Sequence, residues 1–248
     1  MKNLLIKFFI ITIIGIFFFS CDEKKPTKNE TPSILVFSKT NGWRHKSIET
    51  GVATFKALGK LNNFNVDATE DSLQINADNL KKYKAVVFLS TTGDILGPSQ
   101  EADFQQYIEN GGGFFGIHAA ADTEYDWAWY GKLVGGYFNG HPNDPNVRKA
   151  IVQCKDKTHV STKMLPENWE RSDEWYNYKS LNTDVSVVLN LDETSYEGGT
   201  NGENHPIAWY HSVGKGKAYY TGGGHTNEAF AEPLFQQHLL GAIKYLIE

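Results

Sequence analysis

From residue 34 onward, short apolar runs alternate with stretches whose apolar residues recur at helical spacing. Ile34 to Ser38, set between Pro32 and Lys39-Thr40-Asn41-Gly42, predicts a first buried strand. Ile48, Val52, Phe55 and Leu58 then place one apolar face on a helix over about 46–61. Phe64 to Thr69 alternates as a second strand, and Tyr83 to Ser90, centred on Ala85-Val86-Val87-Phe88-Leu89, reads as a strand buried on both faces. Pro98 opens a helix with Phe104, Tyr107 and Ile108 on its inner side, closed by Gly111 to Gly113. Phe114 to Ile117 is the next strand and delivers His118 into a run of small residues, Ala119-Ala120-Ala121. Further strands are predicted at about 148–153, 174–178, 185–191, 207–212 and 217–221, and a closing helix from Glu228 with Phe235, Leu239, Ala242 and Ile243 as its stripe. Strands alternating with helices imply a parallel sheet. The expected fold is α/β: a flavodoxin-like three-layer sandwich with a mainly parallel sheet and an inserted mixed-strand segment.

The N-terminus sits outside this pattern. Met1-Lys2-Asn3 and Lys7 precede or interrupt an apolar run from Leu4 to Phe19, the layout of a secretory signal over residues 1–20. The run ends in Phe18-Phe19-Ser20-Cys21, which resembles a bacterial lipobox, so Cys21 is the expected lipidation site. Residues 21–33 are polar and read as a tether, leaving 34–248 as one domain. The expectation is an exported bacterial lipoprotein, periplasmic or anchored at the outer membrane or cell surface, touching the membrane through its lipid alone. With Cys21 acylated, Cys154 is the other of two cysteines and has no disulfide partner. The formal net charge of −5 becomes −7 once Lys2 and Lys7 leave with the signal. No basic block offsets it, which argues against a nucleic-acid partner.

The chemistry is concentrated at predicted strand ends. His45 follows the first strand, His118 a later one and His225 the last, in Gly222-Gly223-Gly224-His225. In an open α/β sheet the C-terminal ends of parallel strands gather on one edge, where ligands bind, so three imidazoles converge there. His141 follows in the connection after His118. Neutral imidazoles with carboxylates nearby suit a divalent metal such as zinc, and the candidate ligands are His45, His118 and His141. The same imidazoles can also move protons without a metal. The local HxxxH and HExxH spacings are absent. Glu174 and Asp173, among Trp169, Trp175 and Tyr176, are candidate acids, as is Asp122 close after His118. The catalytic candidates are therefore His118, His45, His225 and Glu174. Arg44, Trp43, Asp122, Trp129 and Tyr176 are the substrate-binding candidates, the aromatics because flat rings suit sugar faces.

Several separated motifs resemble the ThuA-like (trehalose utilisation) family. They are Asn41-Gly42-Trp43-Arg44-His45, Gly113 to Ala120, Trp129-Tyr130, Phe138-Asn139-Gly140-His141-Pro142, Asp173-Glu174-Trp175-Tyr176, Pro206-Ile207-Ala208-Trp209 and Gly214 to His225. The family is similar in fold to class I glutamine amidotransferases, whose nucleophilic cysteine occupies a strand-to-helix elbow. Here His118 stands at that elbow, and imidazole cannot form the thioester, so glutaminase activity is not expected. The resemblance implies catabolism of disaccharides or glycosides by a hydrolase, lyase or isomerase. Its substrates would include 3-keto sugars supplied by a partner dehydrogenase, with a base at His118 or His45 and a metal or Arg44 opposite the enediolate. The competing expectation is a noncatalytic sugar-binding lipoprotein that uses the same cleft.

Overall fold

The computed structural model describes residues 31–248. The expected signal over residues 1–20, Cys21 and residues 22–30 of the expected tether lie outside the described residues. The fold begins slightly before Ile34: Pro32 O already accepts a hydrogen bond from Asn65 N at 2.8 Å. The elements run β1 (Ser33–Phe37), α1 (Ile48–Asn62), β2 (Asn65–Thr69), α2 (Ala77–Leu80), β3 (Ala85–Leu89), α3 (Pro98–Glu109), β4 (Gly113–Ile117), α4 (Ala128–Val134) and β5 (Tyr137–Phe138). They continue with β6 (Val147–Cys154), β7 (Asn168–Glu174), β8 (Tyr178–Lys179), β9 (Ser186–Asp192), β10 (Pro206–Val213), β11 (Gly216–Thr221), α5 (Asn227–Ala231) and α6 (Pro233–Ile247).

One nine-stranded sheet orders these strands β2-β1-β3-β4-β11-β10-β9-β6-β7. From β2 to β11 every pairing is parallel, and from β11 to β7 every pairing is antiparallel. Side chains on β4 alternate between two helical layers, as the strand period requires. Phe115 meets Phe55 of α1, whereas Phe114 meets Phe104 of α3 and Tyr130 of α4. This is the α/β flavodoxin-like sandwich expected, with β3, β4 and β1 from Ile34 onward apolar because both faces are covered.

The inserted mixed strands extend the main sheet past β11. Two details differ from expectation. The strand expected over 174–178 lies earlier, as β7, and its inward residues are Trp169, Arg171 and Asp173. Two of those three are charged, so the apolar alternation that marks a half-buried strand is missing. The closing helix is interrupted at Glu232 because Pro233 has no N–H to continue α5 and instead starts α6.

The topology determines where the chemistry goes. Four antiparallel steps leave β7 running in the same direction as β11, so Glu174 emerges at the edge that also receives the C-terminal ends of β1, β4 and β11. Asp173 ties the two together: its Oδ2 accepts from Gly224 N at 2.8 Å and its Oδ1 from His225 N at 3.0 Å.

Candidate functional site

At the end of β4 the chain turns sharply at His118, whose φ of +47° lies in the left-handed region that favours glycine. Tyr220 Oη donates to His118 O at 2.6 Å and holds this turn, while Tyr220 packs so close to Gly116 that an added Cβ would sit 3.0 Å from its ring. Backbone strain at a non-glycine residue costs of the order of 1–3 kcal/mol and persists where surrounding structure imposes it.

His118 Nδ1 donates to Gly222 O at 3.1 Å. That bond fixes the tautomer, and Nε2 therefore points into the cluster at the end of the sheet. It lies 3.2 Å from His225 Nδ1 and 3.3 Å from Glu174 Oε2, while His225 Nδ1 lies 3.1 Å from the same carboxylate oxygen. Asn146 Nδ2 donates to the other oxygen, Glu174 Oε1, at 2.6 Å and lies 3.3 Å from His225 Nε2. His45 closes the group edge-on, its ring centre 4.9 Å from that of His118 and 5.1 Å from that of His225. Donor atoms of His45, His118, Glu174 and His225 all lie within 4.8 Å of one another. Of the three expected ligands, His45 and His118 are in this group; His141 lies outside it, approaching Glu174 Oε1 at 3.5 Å and bonding Pro142 O at 2.9 Å, while Glu174 and His225 complete it.

Above the cluster opens a cleft of about 680 Å³, lined by Trp43, His45, Asp122, His141, Glu174, Tyr176 and His225 among others. His118 does not line it. The ring of Tyr176 covers His118 at 4.4 Å, and His118 is fully buried beneath the floor, so its side chain does not reach a molecule in the cleft. Trp43 stands 70% exposed at the rim. Arg44, expected to hold substrate, is engaged by Glu49 at 2.7 Å and Glu70 at 2.9 Å and does not line the cleft. Trp129 is also elsewhere, stacked on Trp127 at 5.0 Å with its N–H donated to Glu109 Oε1. Asp173 is no acid of the cleft: it is fully buried, pairs with Arg171 at 3.0 Å and positions the His225 backbone.

The electrostatics follow from burial. His45 is pushed down to about 2 by burial first, then by its imidazole neighbours His118 and His225, so it stays neutral. Burial pushes the Glu174 carboxyl up, but its contacts with the His118 and His225 imidazoles outweigh it and hold the group well below the usual carboxylate range. Asp122 is raised, chiefly by burial, against an opposing hydrogen bond from Tyr125 Oη at 2.6 Å. Sequence reading missed Asn146, Arg171 and the Gly222 carbonyl. Only Asn146, in the polar turn Asn143-Asp144-Pro145-Asn146, carried any local signal.

An α/β sheet whose parallel strand ends carry an elbow residue and a nearby histidine is compatible with the glutamine amidotransferase-like fold. The chain belongs to the ThuA family, described as trehalose utilisation, whose profile matches residues 33–246. That places it in carbohydrate use. It is similar to a putative ThuA-like protein from Bacteroides uniformis ATCC 8492, at 26% identity and TM-score 0.75 over 90% of this chain and 94% of that one. A putative ThuA-like protein from Parabacteroides merdae ATCC 43184 matches at 19% identity and TM-score 0.71 over 88% and 90% of the two chains. A putative GMP synthase component from Thermoplasma acidophilum, at 12% identity and TM-score 0.52 over 87% and 96%, shares the fold alone. No curated protein matches the sequence.

Proposed function

We propose that the protein is an enzyme of glycoside or disaccharide breakdown that acts by proton transfer on a sugar carrying a carbonyl at one ring carbon. The supporting observation is the composition of the cleft. Among the described residues no cysteine or serine lines it, whereas Asp122, Glu174, His45, His141 and His225 do. A covalent route through a thiol or hydroxyl of those two residue types therefore has no nucleophile there, and acid/base chemistry has several groups.

Asp122 is the residue suited to remove the C–H proton beside the carbonyl. Burial raises its carboxyl toward the working pH, which strengthens it as a base. His118 is covered and His45 is held neutral by a strongly depressed affinity for protons, so neither suits the role expected from sequence. His45 and His225 line the same cleft and are the groups that would face the enediolate oxygen, and the exposed Trp43 offers a ring face to the sugar. A dehydrogenase that oxidises one ring hydroxyl would supply such a substrate.

The test compares native and 3-keto disaccharides as substrates. Asp122→Asn is expected to lower kcat on the keto sugar by about 10²- to 10⁴-fold, the range for a positioned base. Activity of the unaltered protein should fall as pH drops through the raised Asp122 value, since the base must be ionised. No turnover of any keto disaccharide would sink the reading. One observation favours a noncatalytic sugar-binding role, the exposed Trp43 at the rim. Under that role sugar binding would survive Asp122→Asn, be lost in Trp43→Ala, and yield no product.

Lipid anchoring through Cys21 is proposed from the sequence motif. Mass analysis of the exported protein should find acyl chains on Cys21, and Cys21→Ser should release it from the membrane.

A further inference from the structure

The imidazole–carboxylate cluster turns three ligating atoms toward one point. His118 Nδ1 donates to Gly222 O, which leaves its Nε2 facing Glu174 Oε2 at 3.3 Å. His225 Nδ1 faces both atoms, at 3.2 Å and 3.1 Å. Two imidazole nitrogens and a carboxylate oxygen this close together suit a cation held between them, a proton or a metal ion.

The distances say which kind. The three separations, 3.1, 3.2 and 3.3 Å, form a nearly equilateral triangle. A tetrahedral ion with bonds of about 2.0–2.1 Å, as zinc makes to imidazole and carboxylate, needs ligand–ligand edges of about 3.3–3.4 Å. We infer that the protein binds one divalent transition ion of the zinc type, held by His118 Nε2, His225 Nδ1 and Glu174 Oε2, with His45 beside the fourth position.

The surroundings are those of a metal site. Gly222 O orients His118, and Asn146 holds the free oxygen of Glu174, the outer hydrogen bonds that fix ligands before an ion arrives. His45 is 3% exposed, and its Nδ1 has no hydrogen-bond partner among the described residues. Two imidazoles and one carboxylate with a fourth side facing a cleft is the donor set of catalytic zinc, and soft thiolate ligands are absent from the group. A ring carbonyl or hydroxyl of a sugar is a fitting fourth ligand. That last point rests on the reading of the cleft as a sugar site; the ion site itself does not.

The experiment titrates metal-free protein with zinc chloride by calorimetry and with cobalt(II) chloride by visible absorption, without sugar. One ion per chain and the intense visible bands of tetrahedral cobalt are expected. Glu174→Gln and His118→Ala should each weaken binding by about 100-fold or more, and Asn146→Ala by roughly 10-fold, as for loss of an outer hydrogen bond. His141→Ala should leave affinity unchanged. Should His118→Ala fail to fold, X-ray absorption on the unaltered zinc-loaded protein decides alone: nitrogen and oxygen ligands at about 2.0–2.1 Å with at least two imidazoles support the site. Absence of saturable binding, or binding unaffected by Glu174→Gln, overturns it. Zinc binding with no keto-sugar turnover overturns the functional reading and leaves the metal site, whereas keto-sugar turnover by a protein that shows no saturable zinc or cobalt binding does the reverse.

Discussion

Asp173 and Glu174 are neighbours in sequence with opposite fates. Successive strand residues face opposite ways, so at the end of β7 one carboxylate enters the protein and the next reaches the cleft. The buried one is neutralised by Arg171, which also bonds Glu232 Oε2 at 2.9 Å and lies 4.6 Å from the ring centre of Phe235. Removing the guanidinium strands Asp173 in a low-dielectric interior. Arg171→Met should therefore cost about 3–5 kcal/mol, the usual loss when one partner of a buried pair is deleted, read as a fall in the urea midpoint. Asp173→Asn should cost less stability yet loosen the Gly224–His225 backbone, so zinc affinity should drop more than the urea midpoint predicts. His118 shows the limit of reading residues singly. Sequence placed it at an elbow, which its positive φ bears out, but gave no sign that Tyr176 would cover it.

At the scale of elements, the connection from β3 to α3 is braced by one side chain. Glu124 Oε1 accepts from Ile95 N at 2.9 Å and Leu96 N at 2.8 Å, although Glu124 lies some 30 residues further along the chain. Burial pushes its carboxyl up to about 7, against the lowering effect of those two N–H groups. Glu124→Gln keeps an accepting oxygen and should change stability little near pH 7. Glu124→Ala would leave two buried donors unpaired, at about 1–3 kcal/mol each, and the denaturation midpoint should separate the two variants clearly. The strands β1, β3 and β4 were legible because both faces are apolar, and α1 and α3 because one face is. β7 was not, since its inward positions hold Arg171 and Asp173, whose burial depends on partners from distant segments.

For the whole molecule, acid should act through a histidine remote from the cleft. His238 on α6 is fully buried, its Nδ1 bonded to Ser161 O and its Nε2 to Thr221 Oγ1, both at 3.1 Å. Burial, opposed by the Ser161 hydrogen bond and aided by the charge of Arg171, pushes it from an ordinary 6.5 down to about 3. Between those values the unfolded chain binds the proton and the folded one does not. Its contribution is therefore complete above pH 6.5 and lost as pH falls toward 3, by up to about 1.4 kcal/mol per pH unit. Urea midpoints measured from pH 7 to 4 should decline through His238 and the likewise depressed His45 together, and His238→Gln, less stable at pH 7, should decline less steeply by the His238 share. If both proteins follow the same slope, another group is responsible. By itself the sequence determined the alternation of strands and helices, the parallel half of the sheet and the histidines at its strand ends, because periodicity and punctuation are local properties of the chain. The tertiary structure decided which acid joins those histidines, that His141 lines the cleft outside their cluster while Arg44 and Trp129 do not line it, and that His118 lies beneath the cleft. The arrival of Glu174 depends on four antiparallel strands bringing β7 round to the loop after β11, a closure between segments some 50 residues apart that no local pattern encodes.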